Sequence, residues 1–349
     1  MTVRLLLVVC VLVLAAGCEP FATANSLSDE YLERLARVLE VDSPETVEQP
    51  SASALPRRRE RVLAMPELQM GMLDFLSLYG CELQYVVGEK ASVMGRVMQP
   101  INRLRYEVRF IRTGEECLPE IEDEELSETL RAAIDSKRKS LPLAVWNATW
   151  GTEEVETLLT LSKGDYPVSA GPEAVSDLAL DLDQLNRITA QLNQQRLDVP
   201  LQSLGKIQQR WQAEFRAGQL INSARLLIST LQSGTAIIET RLEDRPLCLN
   251  GRRNNQSDIV HSFFLKVYIG QIQPYMSDVS RARQMLIEPL SELAAQQSGV
   301  MPEAFRVWYQ RHLAGEGENS LWQQLDEAMA RHTRAWQELL GQCGLRPGA

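Results

Sequence analysis

"MPELQMGMLDFLSLYGCELQYVVGEK" (residues 65–90) carries the strongest core signal in the chain. Met65, Leu68, Met72, Phe75, Leu76, Tyr79, Leu83, Val86 and Val87 recur at intervals of three and four, the spacing that lines side chains along one stripe of an α-helix. The stripe is wide, which predicts a central helix over 66–93. Downstream, Val97, Ile101, Leu104, Val108 and Ile111 repeat at the same intervals and predict a second helix over 97–113. Gly95 and Pro100 separate the two as turn signals. Two apolar stripes joined by a short turn make an antiparallel helical hairpin.

Facing residues in such a hairpin share a constant index sum. Cys81 and Cys117 sum to 198, so their midpoint, position 99, falls in the expected turn. The same register sets Glu89 opposite Arg109 and predicts a structural ion pair between them. Cys248 and Cys343 have their midpoint at 295.5, close to the break "QSGVMP" (Gln297–Pro302). An even set of four cysteines in an exported chain suggests two disulfides. The register favours Cys81–Cys117 and Cys248–Cys343, each clamping the open end of a hairpin. Closed loops of 36 and 95 residues give about 4 and about 4.7 kcal/mol in the chain-entropy picture. Four buried free thiols are the alternative.

The two cysteines left out of this count lie at the N-terminus. Arg4 supplies a positive start, Leu5–Leu14 is apolar apart from Cys10, and Ala15-Ala16-Gly17 precede Cys18. Thirteen residues from Leu5 to Gly17 are too few to span a bilayer, which takes roughly 20. Residues 1–17 therefore read as a secretion signal. Ala15-Ala16-Gly17-Cys18 resembles a bacterial lipobox, departing from it where Ala15 stands in place of the commoner Leu. The resemblance implies cleavage before Cys18 and acylation of its thiol (palmitate among the acyl groups), which would make Cys18 the first mature residue. Ordinary cleavage nearby is the alternative. Among lipoproteins of this type, Asp after the cysteine is associated with inner-membrane retention. Glu19 stands there, so the resemblance implies the outer membrane, periplasmic face.

Beyond the anchor, Ser28 is positioned to cap a short helix bearing Leu27, Tyr31, Leu35, Val38 and Leu39, with Asp29 and Glu30 in its first turn. Asp42–Pro56, with three prolines, three serines and no apolar period, reads as a flexible linker of roughly 20 Å. "PEIEDEELSETLRAAIDSKRK" starts acidic and ends basic, matching the helix dipole at both ends. Further helices are expected from Pro172 to about Leu197, unbroken from Pro200 to about Glu243, and near 257–273, 275–298, 302–313 and 319–342. Arg245–Gln256 and Gly164–Pro172 read as loops. No stretch alternates with the two-residue period of a strand. The expectation is an all-α bundle of long antiparallel helical hairpins, two of them clamped by disulfides. Its organisation reads as 1–17 leader, 18–56 anchored helix and linker, and 57–349 helical body, with 57–165 and 172–349 as candidate sub-bundles.

The segment Leu73–Ile111, behind a lipobox and ahead of a long helical remainder, resembles a family of Gram-negative bacterial lipoproteins of unknown function. The resemblance implies an envelope location and brings no activity with it.

His261, His312 and His332 have no partner at metal-ligand spacing, and no HExxH, CxxC, GxSxG or phosphate loop occurs. No catalytic, cofactor or metal residue is assigned. His332 and His261 sit beside apolar stripes and read as core or boundary residues. Glu89 and Glu107 are carboxylates of the kind glycosidases use, with an ion pair to Arg109 the simpler reading for Glu89. Arg105, Arg109 and Arg112 share one helix face, a candidate anion site that pairing with Glu89 and Glu116 would explain. "PRRRER" (Pro56–Arg61) reads as a solvated helix start or a contact for anionic headgroups. "NAT" (Asn147) and "NQS" (Asn255) match glycosylation acceptors, irrelevant behind a bacterial leader.

The formal net charge of −10 moves to −11 once Arg4 leaves with the leader. Such a chain as a whole has no electrostatic attraction to nucleic acid or to anionic lipid. The reading that follows is a membrane-held adaptor or scaffold for another envelope protein. Two alternatives stay open: a cell-wall or lipid-acting enzyme using carboxylates, and a bundle binding a hydrophobic ligand along Met65, Met70, Met72, Met94 and Met98.

Overall fold

The computed structural model describes residues 23–42, 46–67, 80–91, 97–171 and 173–345. The leader, Cys18 and most of the opening stripe (Leu68–Tyr79) lie outside these residues, as do Met70, Met72 and Met94. Among the described residues every regular element is a helix and there is no strand, and no helix is long and apolar enough to cross a membrane.

α1 (Ala24–Leu39) is capped by Thr23, whose side chain accepts from the Ser26 amide in a reciprocal capping box. Ser28, expected as the cap, lies one turn inside and is buried. The shift puts Asp29 and Glu30 beyond the first turn. Tyr31, Leu35 and Leu39 are fully shielded from solvent on the buried face.

The proline-rich stretch after α1 is not a free linker. Residues 46–57 form no helix or strand and cross the bundle. Backbone outside regular structure needs partners for its polar groups, and helix side chains supply them. Val47 N donates to Ser233 Oγ at 2.9 Å, and the Val47 carbonyl accepts from Ser229. Arg225 Nε donates to the Pro50 carbonyl at 2.6 Å, and Trp308 Nε1 to the Ser53 carbonyl at 3.0 Å. Ser233, Ser229 and Arg225 recur every four residues on one helix and make a polar row for this strap. A single turn, α2 (Arg58–Arg61), ends it. Arg61 is fully buried, bonded to the Trp150 carbonyl and to Glu156, so this part of "PRRRER" is core and neither solvated nor free for lipid. Residues 62–67 stay extended, held by Asn147, whose side chain accepts from Leu63 N and donates to Leu63 O, both at 2.8 Å.

The helix expected over 66–93 is therefore interrupted. Gly80 takes φ +92°, a conformation that suits glycine, and α3 covers only Glu82–Ala91. α4 (Pro100–Cys117) starts at Pro100 and not at 97. Proline is favoured at this first position because its missing N–H has no partner there anyway. α3 and α4 form the expected hairpin, closed by Cys81–Cys117 with Cα atoms 5.9 Å apart.

α5 (Glu124–Thr149), capped by Asp123, does not stop at its basic run. It continues through Pro142 for another turn and more, because Leu141, Ala144, Val145 and Trp146 bury against the core. α6 (Glu154–Leu158) and a loop lead to α7 (Glu173–Asn193). The unbroken helix expected from Pro200 is two: α8 (Leu204–Trp211) and α9 (Arg216–Asp244). A Cβ at Gly218 would overlap the Thr160 carbonyl oxygen, so α9 starts where a glycine allows that close approach.

The two helices expected over 257–298 form one continuous rod, α10, from Asn255 to Ala295. Wide π turns cover Phe264–Ile272 and Arg283–Ile287, just ahead of Pro274 and Pro289. Proline lacks an N–H and clashes with the preceding turn, and a wider turn relieves both problems without ending the helix. α11 (Glu303–His312) and α12 (Leu321–Gly341) complete the fold. α10 runs back along α9 and α12 returns along α10, so α9 and α12 lie parallel. Cys248–Cys343, with Cα atoms 5.2 Å apart, closes the open end of the α10–α12 hairpin. Both expected disulfides are present in an all-helical bundle.

Candidate functional site

The α3–α4 hairpin positions a groove of about 1060 Å³. Its floor is the outer face of α4, where Asn102, Arg105, Arg109, Arg112 and Glu116 follow at helical spacing. Glu82 and Glu89 of α3 form one wall, and Leu197, Val199 and Leu201 of the α7–α8 connection form the other. Val97, 73% exposed, and Met98 close one end, and Tyr85, 72% exposed, stands on the outer side of α3.

The expected register holds here. Arg109 Nη1 donates to both Glu89 oxygens at 3.0 Å, and Nη2 reaches Glu82 Oε1 at 3.3 Å. These hydrogen bonds raise the Arg109 pKa, against the opposing effect of desolvation. Arg105 and Arg112 do not pair as expected with Glu116. Arg105 Nη2 donates to the Leu201 carbonyl at 3.0 Å and Nη1 to Asn102 Oδ1 at 3.0 Å. Arg112 lies 4.0 Å from Asp198. Among the described residues, three arginines and three glutamates thus line this groove, and their formal charges balance.

Behind the floor lies an ion cluster that sequence reading missed. Glu107 is fully buried, with Arg103 Nε at 2.5 Å and Lys137 Nζ at 2.9 Å from its oxygens. Lys137 of α5 is 3% exposed, and its ammonium lies 5.2 Å from the Tyr106 ring centre and 5.6 Å from that of Phe110. Desolvation lowers the Lys137 pKa and the Glu107 charge opposes that fall. Burial raises the Tyr106 pKa, and the neighbouring Glu107 charge adds to it. Glu107 therefore sits inside a charge-compensated core contact and does not face the groove. The signal available in sequence was Glu107 with Arg103 four residues earlier on one helix.

The histidines do not converge. His332 is buried on α12, where its Nδ1 lies 3.0 Å from Thr235 Oγ1 and its Nε2 lies 2.6 Å from Tyr31 Oη. The Thr235 hydroxyl donates to the Leu231 carbonyl at 2.7 Å, so it accepts from Nδ1–H and leaves Nε2 to accept from Tyr31. Trp336 Nε1 donates into the same pair at 3.1 Å. Burial lowers the His332 pKa to about 3. This is a neutral core imidazole with both nitrogens satisfied. His312 meets the strap instead: its Nε2 accepts from Ser53 N at 3.3 Å and lies 3.2 Å from Ser53 Oγ. Among the described residues its Nδ1 has no hydrogen-bond partner. Burial lowers its pKa to about 4. His261 is half-buried on α10. No group of three metal-ligating side chains occurs among the described residues.

Fold and site together define a disulfide-clamped, all-helical protein with one charge-balanced groove. The chain belongs to a family described as "Protein of unknown function (DUF3080)", whose match covers residues 28–347. No curated protein and no solved structure matches it.

Proposed function

We propose that this protein is a Gram-negative envelope lipoprotein, anchored through acylated Cys18 at the periplasmic face of the outer membrane, that works as an adaptor for another envelope protein. The leader and lipobox support the address, and two disulfides suit an oxidising compartment. The groove on α4 is the observation that carries the adaptor role. Its balanced arginines and glutamates offer no attraction for a polyanion, whereas apolar Val97, Met98 and Leu201 beside polar partners suit a polypeptide segment of mixed character. The enzyme reading loses ground because Glu82 and Glu89 both bond the same Arg109.

Two arms test the proposal. Cys18→Ser is expected to release the protein from membranes on fractionation, and a variant still membrane-bound would refute the anchor. In-cell crosslinking with mass spectrometry is expected to join groove residues to one envelope protein. Recovery of none would refute the adaptor.

A further inference from the structure

α1 is built into the body. Its buried face packs with α9, α10 and α12 through Tyr31, Leu35 and Leu39. At its first turn, Asn25 Nδ2 donates to Asp165 Oδ2 at 2.5 Å. Between Cys18 and the cap residue Thr23 stand only Glu19–Ala22. Five Cα steps of at most ~3.6 Å reach no further than ~18 Å even when fully extended. The proline-rich stretch that would have served as a spacer lies after α1 and is strapped to α9 and α11. It adds nothing to the tether.

We propose that the acylated protein rests directly on the bilayer, and that the start of α1 with the loop Gly164–Ala170 is the surface facing the lipid headgroups. This rests on the lipoprotein reading and adds an orientation to it. The face suits that occupant. Pro167 and Ser169 are exposed, Val168 and Ala170 half-exposed, and the Asp165 carboxylate is taken up by Asn25. The loop is also firmly held. Tyr166 N donates to Ser223 Oγ at 2.7 Å, and Asn222 Nδ2 donates to the Leu161 and Gly164 carbonyls at 2.9 and 2.8 Å. A surface so fixed to α9 cannot swing away from the tether point. The far end of α1, where Glu40 pairs with Arg245, is 16 residues on, about 24 Å at ~1.5 Å per residue. The Cys248–Cys343 end of the molecule is therefore held away from the lipid.

The full-length acylated protein can be placed in vesicles of phosphatidylethanolamine and phosphatidylglycerol carrying headgroup spin-labelled lipid. A fluorophore at Pro167→Cys is expected to be quenched, and one at Leu249→Cys to stay bright. Inserting ten Gly/Ser residues between Ala22 and Thr23 adds roughly 17 Å of reach and is expected to bring the Pro167 label down to the Leu249 level. Equal quenching of both labels in the uninserted protein would overturn the orientation while leaving the anchor intact. Quenching at Pro167 that survives the insertion would overturn the tether as its cause. Binding of the Cys18→Ser protein to the vesicles would instead overturn the lipoprotein reading.

Discussion

Lys137 and Glu107 are the pair on which single substitutions act most strongly. Each is almost wholly withdrawn from water, and each compensates the other. Removing Glu107 leaves Lys137 as an unpaired buried charge, which costs about 3–5 kcal/mol, whereas without Lys137 the carboxylate keeps Arg103. Glu107→Leu is expected to lower urea stability by that amount, and adding Lys137→Met is expected to recover most of it. A double variant no better than the single one would contradict this account. The histidines set the acid limit. Both His312 and His332 have folded-state pKa values pushed below the ordinary 6.5, to about 4 and about 3. Below pH 6.5 the unfolded chain binds protons that the folded chain refuses, so stability is full above pH 6.5 and falls as the pH drops toward 4. Each histidine contributes up to about 1.4 kcal/mol per pH unit in that window. Denaturation curves at pH 7, 5.5 and 4.5 check this, and His332→Gln is expected to flatten the slope. At this scale the Glu89–Arg109 pair was legible, because a hairpin register fixes an index sum. Lys137 was not: a basic run marks a helix end only where no apolar stripe carries the helix past it, and Leu141 to Trp146 do so here.

Elements show a similar division. Helix type and most positions follow from apolar period, and both disulfides follow from hairpin register. The break between α8 and α9 was hidden because it depends on a distant group. α9 begins two residues before Gly218, which meets Thr160, 58 positions away in sequence, and nothing local marks that approach. The strap is the sharpest case. Residues 46–57 have a linker's composition, and their order comes from Ser229, Ser233, Arg225, Trp308 and His312 on other elements, with Ala52 and Leu55 packed against the core. The double variant Ser229→Ala/Ser233→Ala removes two of these bonds at about 1 kcal/mol each. Hydrogen exchange in residues 46–57 is expected to accelerate while α9 and α12 keep their protection. Unchanged exchange in the strap would contradict its assignment as a docked element held by the serine row.

At the scale of the molecule, the adaptor proposal rests on a helical body clamped by two disulfides and carrying a groove lined by arginines and glutamates. The family match covers nearly the whole chain, so the account applies to the body as a unit. The groove itself was only half legible: its arginine face could be read from spacing, whereas the α7–α8 wall could not, since Leu197–Leu201 are remote from α4 in sequence. The most direct measurement places a photo-crosslinking residue at Val97 in living cells, with Leu180, 67% exposed on α7, as the comparison site. The account predicts an adduct with one defined envelope protein from Val97, none from Leu180, and loss of the Val97 adduct when Arg109→Glu breaks the bonds from the groove floor to Glu82 and Glu89. No adduct from Val97, or the same adducts from both sites, would contradict it.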